Sequence, residues 1–83
     1  MRLLVTFYSV SSALFLEAAG KERGLPCVII PVPRSLSSSC GYAAEVDVEE
    51  TGNLAELLRG LNVEWEAVYR PGENRYELLY RNE

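Results

Sequence analysis

The stretch PRSLSSSCGY, Pro33 to Tyr42, places a thiol directly after three serines and directly before a glycine. A sulfur in that setting is a candidate nucleophile, because the thiolate attacks and the thiol does not. Serine hydroxyls bond their own backbone and shape compact turns. Such a turn can aim several N–H groups at one point, and a concavity of N–H groups favours an anion. Gly41 lets the chain take a positive φ, or lets another molecule approach the backbone. Arg34 adds positive charge if the loop folds back. The site read from these residues is Cys40 as the reacting atom, with Arg34, Ser37, Ser38, Ser39 and Gly41 around it. The plain reading beside it is a small apolar residue packed near a strand start.

Other candidates are weaker. Cys27 opens the apolar run CVII and reads as packing, although a Cys27–Cys40 disulfide is not excluded by count. Glu45 and Asp47 share a strand face, and a solvated face explains them better than acid–base chemistry. Trp65, Tyr69, Tyr76 and Tyr80 make either an aromatic binding surface or, more simply, cross-strand pairs. The chain has no histidine, so it holds neither a classical triad nor a His-ligated metal site. Its two cysteines cannot complete a four-thiolate zinc site alone. PGEN, Pro71 to Asn74, is turn chemistry, and no glycine-rich phosphate loop is present. No metal and no cofactor is expected.

The elements that must position the thiol follow from length and pattern. The 83 residues suit a single domain over 1–83, and a 48% hydrophobic fraction suits a packed core. Twelve acids against eight bases give a net charge of −4 without a basic cluster, which argues against nucleic acid and fits a basic protein partner. The N-terminal run has a leader-like composition. It is too short and polar to span a membrane and reads as an ordinary first strand and helix. Two cysteines fit a reducing compartment, so the expected location is cytoplasmic.

Arg2–Phe7 is a strand with Leu3, Val5 and Phe7 on one face and Leu4 and Tyr8 on the other, the pattern of a central strand. A helix follows, capped by Ser9 or Ser11, with Val10, Ala13, Leu14, Ala18 and Lys21 as its stripe. Gly24 stops it, and Gly20 inside it costs about 1 kcal/mol relative to alanine. Cys27–Val32 is a strand that Pro31 makes an edge or ends. The loop Pro33–Cys40 leads to the half-buried strand Tyr42–Val48, with Ala44, Val46 and Val48 inward. Thr51 or Asn53 caps a second helix with the stripe Leu54, Leu57, Leu58 and Leu61, ending near Gly60 and Asn62. EWEAVYR is a strand with Trp65, Ala67 and Tyr69 on one face, and RYELLYR returns as the arm of a C-terminal hairpin over 71–83. The order gives an α+β fold, a ferredoxin-like βαββαβ two-layer sandwich with an added C-terminal strand. Helices on one face leave the other open, which a second copy could cover as a homodimer.

VTF at Val5–Phe7, IPVPR at Ile30–Arg34, SSSCG at Ser37–Gly41 and VEWEAVYR at Val63–Arg70 resemble a selenium/sulfur carrier-like family of short bacterial proteins. The resemblance covers nearly the whole chain up to about Arg70, and Pro71–Glu83 lies beyond it. It implies that Cys40 is the functional residue and gives Cys27 no role. It also implies a carrier, half enzyme and half relay. Cys40 takes sulfur from a donor persulfide, such as one on a cysteine desulfurase, and holds it as Cys40–S–SH or the selenium analogue. An acceptor protein then removes it, with no cofactor. The alternative is a non-catalytic regulatory or protein-interaction module of the same fold. A third reading is a thiol switch that joins Cys27 to Cys40.

Overall fold

A computed structural model describes residues 1–36 and 38–82. Along the chain run β1 (Arg2–Thr6), α1 (Val10–Glu22), β2 (Cys27–Pro31), β3 (Tyr42–Asp47), α2 (Thr51–Leu61), β4 (Ala67–Pro71) and β5 (Tyr76–Arg81). The strands form one sheet of order β2-β3-β1-β4-β5, antiparallel at every pairing. The protein is thus a mixed α+β fold with two helices and a five-stranded antiparallel sheet.

β1 is central because both its faces are apolar. Leu3, Val5 and Phe7 enter a core with Ala44, Val46 and Val68, and both helices reach the same core through Ala13, Leu16, Leu54 and Leu58. Each large side chain buried there contributes roughly 1.5–3 kcal/mol. The opposite face carries no helix, yet Leu4, Ala43 and Ala67 are almost completely buried there. Tyr69, Leu36 and Tyr76 pack around them, so the expected open face is closed at its centre by the chain itself. Leu36 comes from the long loop between β2 and β3, which therefore reaches over the sheet.

α1 starts where Ser9 accepts a hydrogen bond from the Ser12 amide and ends before Gly24, whose φ is 70°. Its inward stripe corrects the expected one. Ala13, Leu16 and Gly20 face the sheet, while Val10, Leu14 and Phe15 are exposed. The helix is apolar nearly all round, so periodicity alone could not choose a face. Gly20 chooses it. A Cβ there would lie 3.2 Å from the Leu25 carbonyl oxygen and 3.4 Å from the Cys27 Cβ, so a side chain at this position would crowd the close approach of α1 to the start of β2.

α2 buries Leu54 and Leu58, with Leu57 and Leu61 at the margin of the core. Its N-cap is Glu50, before both expected caps, Thr51 and Asn53, with no side-chain cap bond. Asn62 closes it in the left-handed region at φ 57°. The strand after α2 begins at Ala67, later than the sequence suggests, and this splits the expected aromatic face. Trp65 turns into the helix-side core, whereas Ala67 and Tyr69 face the other way. β5 pairs with β4 through an irregularity at Val68/Tyr69. The extra residue puts both Leu79 and Tyr80 on the helix side, where Tyr80 meets Trp65 edge-on at 5.7 Å.

Two of the helical glycines, Gly20 and Gly60, should respond oppositely to alanine. Gly60 has open space around its Cβ position, so Gly60→Ala should stabilise the fold by about 0.5–1 kcal/mol. Gly20→Ala should lose that gain and destabilise by on the order of 1 kcal/mol through overpacking. Urea denaturation of both variants checks this. Equal stabilisation by the two would contradict the proposed close approach of α1 to β2.

Candidate functional site

The loop that carries Cys40 begins where β2 stops. Pro31 ends the strand, and the Val32 amide donates to the Gly41 carbonyl at 3.0 Å, closing the loop's base. The Leu36 amide donates to the Pro33 carbonyl at 3.0 Å and forms the first turn. The loop is then held at two points of the sheet end. Ser38 Oγ donates to the Phe7 carbonyl, just past β1, at 3.0 Å. Ser39 gives Glu66 both its amide, at 3.2 Å, and its hydroxyl, at 2.9 Å. Gly41 takes φ 78°, the positive value anticipated for it, and its amide donates to the Ser38 carbonyl at 3.4 Å.

Cys40 is half-buried between these anchors and packs against the margin of the helix-side core. Its Sγ donates to the Tyr42 carbonyl at 3.3 Å and lies 3.8 Å from Ser38 Oγ. A hydrogen bond from sulfur to a carbonyl belongs to the protonated thiol, since a thiolate has no proton to give. The expected convergence of amides on the sulfur is not seen for the three loop amides whose partners are described. The amides of Leu36, Ser39 and Gly41 serve the Pro33 carbonyl, the Glu66 carboxylate and the Ser38 carbonyl instead. A carboxylate is the stronger acceptor, so Glu66 takes the donors of Ser39. Arg34 is exposed and makes no ion pair among the described residues. Ser37 lies outside the described residues. The loop thus brings Ser38, Ser39, Cys40 and Gly41 together, and Arg34 is exposed to solvent.

Glu66 has no motif to announce it. Its signal is topological: it directly precedes β4, β4 neighbours β1, and the Cys40 loop directly precedes β3 on the other side of β1. Only the strand order brings the two segments to one sheet end.

Cys27 is chemically different. Burial, together with the negative charge of Glu17, pushes its thiol up to about 11. Both cysteines are free. Cys27 pairs with Val46, whereas Cys40 sits just before the Pro31–Tyr42 pair at the far end of the same hairpin. Four residues of extended strand separate those pairs by about 13 Å. A disulfide needs Cα atoms within about 7 Å, so this fold does not permit the Cys27–Cys40 switch.

The remaining candidates resolve into structure. Asp47 pairs with the Met1 ammonium at 3.0 Å on the surface, and Glu45 is half-buried beside it on the sheet. Trp65, Tyr69, Tyr76 and Tyr80 pack into the two cores and form no exposed aromatic surface. A cleft of about 360 Å³ near the first turn of α1 is lined by Ser9, Phe15 and Glu64 among others, and Cys40 is not part of it.

The family model described as "Putative Se/S carrier protein-like" matches residues 2–70. The chain belongs to this family. Comparison with curated proteins and with solved structures gave no match. The span matched to the Se/S carrier-like family holds both helices, the whole Cys40 loop and Glu66, and stops within β4. The strand β5 lies beyond it. Both cysteines of this Se/S carrier-like chain fall inside the span, so geometry has to separate them, and it does. One lies in a surface loop beside a hydroxyl. The other, equally half-buried, lies on a strand beside a carboxylate-bearing helix.

Two outcomes follow for the thiols. At pH 8, iodoacetamide should label Cys40 at least about tenfold faster than Cys27, because burial and the negative charge of Glu17 keep the Cys27 thiol protonated; peptide mass spectrometry on the folded protein reads the ratio. The Cys27 proton also couples to stability. The folded thiol keeps its proton to about 11, against 9.0 for the free group, so between those values the native state binds more protons than the unfolded one. Stability from this group is therefore complete below pH 9 and is lost as pH rises toward 11. The urea midpoint of the wild type should fall more steeply over that range than that of Cys27→Ala.

Proposed function

We propose that the protein carries sulfur, or selenium, on Cys40. The observation that carries the reading is the placement of Cys40. Within the family-matched span it alone combines a surface loop, a half-exposed sulfur and a neighbouring hydroxyl. The donor is a protein persulfide, such as one on a cysteine desulfurase, and the acceptor is a second protein. No cofactor takes part. The net charge of −4 disfavours nucleic acid as a partner. The strand order is compatible with a ferredoxin-like βαββαβ unit with β5 appended to one edge, in this reading a single domain over 1–83, and a reducing cytoplasm suits a free thiol.

The transfer balances without an outside oxidant. Cys40 first gives its proton to solvent. Its thiolate then attacks the terminal sulfur of the donor R–S–SH. The donor S–S bond breaks as the Cys40–S–SH bond forms, and the electron pair leaves with the donor thiolate, which takes up a proton. Delivery repeats the exchange, with the acceptor thiolate as nucleophile and Cys40 as leaving group.

Ser38 has a specific part in this reading. Its single hydroxyl proton now serves the Phe7 carbonyl, and turning it toward the sulfur 3.8 Å away gives an anionic persulfide a donor. Gly41 keeps the backbone open beside the sulfur. In this reading the exposed Arg34 offers positive charge to an arriving donor, and Ser37 is kept as a candidate contact for it. Tyr42 and Tyr8, 44% and 50% exposed, adjoin the carbonyls that hold Cys40 and Ser38, and they offer contact area around the thiol.

Incubation with a persulfide donor followed by intact mass measurement tests the proposal. The expected result is a gain of one sulfur atom, located on Cys40 and removed by dithiothreitol. Cys27→Ser should load like the wild type and Cys40→Ser should not load. An unchanged mass beside a donor that loads other thiols would end the carrier reading.

A further inference from the structure

We infer that Glu66 is a positioning residue for Cys40: by clasping Ser39 it keeps the neighbouring sulfur half-buried on the Tyr42 carbonyl, and release of the clasp exposes the sulfur. The inference deepens the carrier reading and rests on it, because exposing Cys40 matters only if Cys40 reacts.

The two halves of the clasp differ in firmness. Glu66 stands on a fixed post. Its amide donates to the Thr6 carbonyl at 2.7 Å and its carbonyl accepts the Asn82 amide at 2.9 Å. Ser39 is exposed and sits on an irregular loop. When the clasp opens, the loop moves and the post stays. Ser39 is covalently next to Cys40, so its displacement shifts the Cys40 backbone and breaks the alignment of Sγ with the Tyr42 carbonyl.

The strength of the clasp is suited to a gate. One carboxylate accepts two bonds from one residue, and such charge-assisted bonds are stronger than neutral ones. Water competes at an exposed position, which keeps the net effect small. The closed state is therefore favoured while the open state stays within thermal reach. Persulfide formation needs the open state, because the closed one directs the thiol proton to a carbonyl and holds the sulfur against the core.

The test uses the full chain with Glu66→Ala, Glu66→Gln, Ser39→Ala and the Glu66→Ala/Ser39→Ala double variant. Three readings are taken on each: the iodoacetamide rate at Cys40 with Cys27 as internal standard, amide exchange at residue 39, and the urea midpoint. Glu66→Ala should raise the Cys40 rate and residue 39 exchange about fivefold, while the Cys27 rate stays constant. Glu66→Gln should fall between, because its amide oxygen still accepts one bond. Ser39→Ala should give a smaller rise, and the double variant should not exceed Glu66→Ala. A merely structural Glu66 would accelerate both cysteines together and lower the urea midpoint, and that result overturns the inference. So does a Cys40 rate within about twofold of wild type in folded Glu66→Ala. If Glu66→Ala does not fold, unchanged Cys40 rates in both Glu66→Gln and Ser39→Ala overturn it equally. Sulfur loading from a low-molecular-weight persulfide separates the two claims. Rates that respond while no variant loads sulfur leave the clasp standing and remove the carrier. Loading with unresponsive rates does the reverse.

Discussion

The carboxyl end of β1 is the constraint on which the site depends. The strand is central, so each side of its end has a neighbour entering the sheet: β3 on one side and β4 on the other. The carbonyls there need donors, since buried backbone acceptors are rarely left unpaired. The Phe7 carbonyl takes the Ser38 hydroxyl from the segment before β3, and the Thr6 carbonyl takes the Glu66 amide from the segment before β4. These two bonds bring the segments to one place. Ser39 and Glu66 then meet across the end of the strand. Cys40 follows directly, so its position derives from how a central strand ends.

The same geometry sets the chemistry. A loop tied to carbonyls and a carboxylate is built from acceptors, and the Cys40 sulfur donates to one of them, the Tyr42 carbonyl. The sulfur has one hydroxyl beside it, and that hydroxyl already serves Phe7. In the proposed reading, a rotation at Ser38 and a displacement at Ser39 bring a donor to the sulfur and expose it. The second cysteine is held protonated by burial and the nearby charge of Glu17.

Much of this was legible in the residues, and what was not has physical causes. Strands with one clear pattern were readable, as at Ala44, Val46 and Val48, and so were stops with special backbone needs, as at Gly24 and Asn62. Periodicity failed in α1 because the helix is apolar on both sides; Gly20, read as a cost, was the residue that fixed its inward face. It failed again at Trp65, where the chain has not yet entered the strand and alternation does not apply. In the loop, residue types pointed correctly to a cysteine among hydroxyl groups, but not to where the amides turn. That depends on Glu66, 27 residues from Ser39, and no local pattern encodes such a pairing.

β5 extends this logic beyond the family-matched span. The match ends at residue 70, yet Asn82 comes back to the segment before β4. Its amide donates to the Glu66 carbonyl and its side chain to the Trp65 carbonyl, each at 2.9 Å. Tyr80, packed edge-on against Trp65, holds the same segment from the core side, and burial raises its hydroxyl against the opposing effects of the Ala55 backbone and Arg59. The hairpin touches the Cys40 loop through none of these bonds. It fixes the post that Glu66 stands on, and a clasp is only as firm as its fixed half. The added strand therefore acts on the thiol through Glu66, so loosening it would weaken the hold on Ser39 even with every loop residue unchanged.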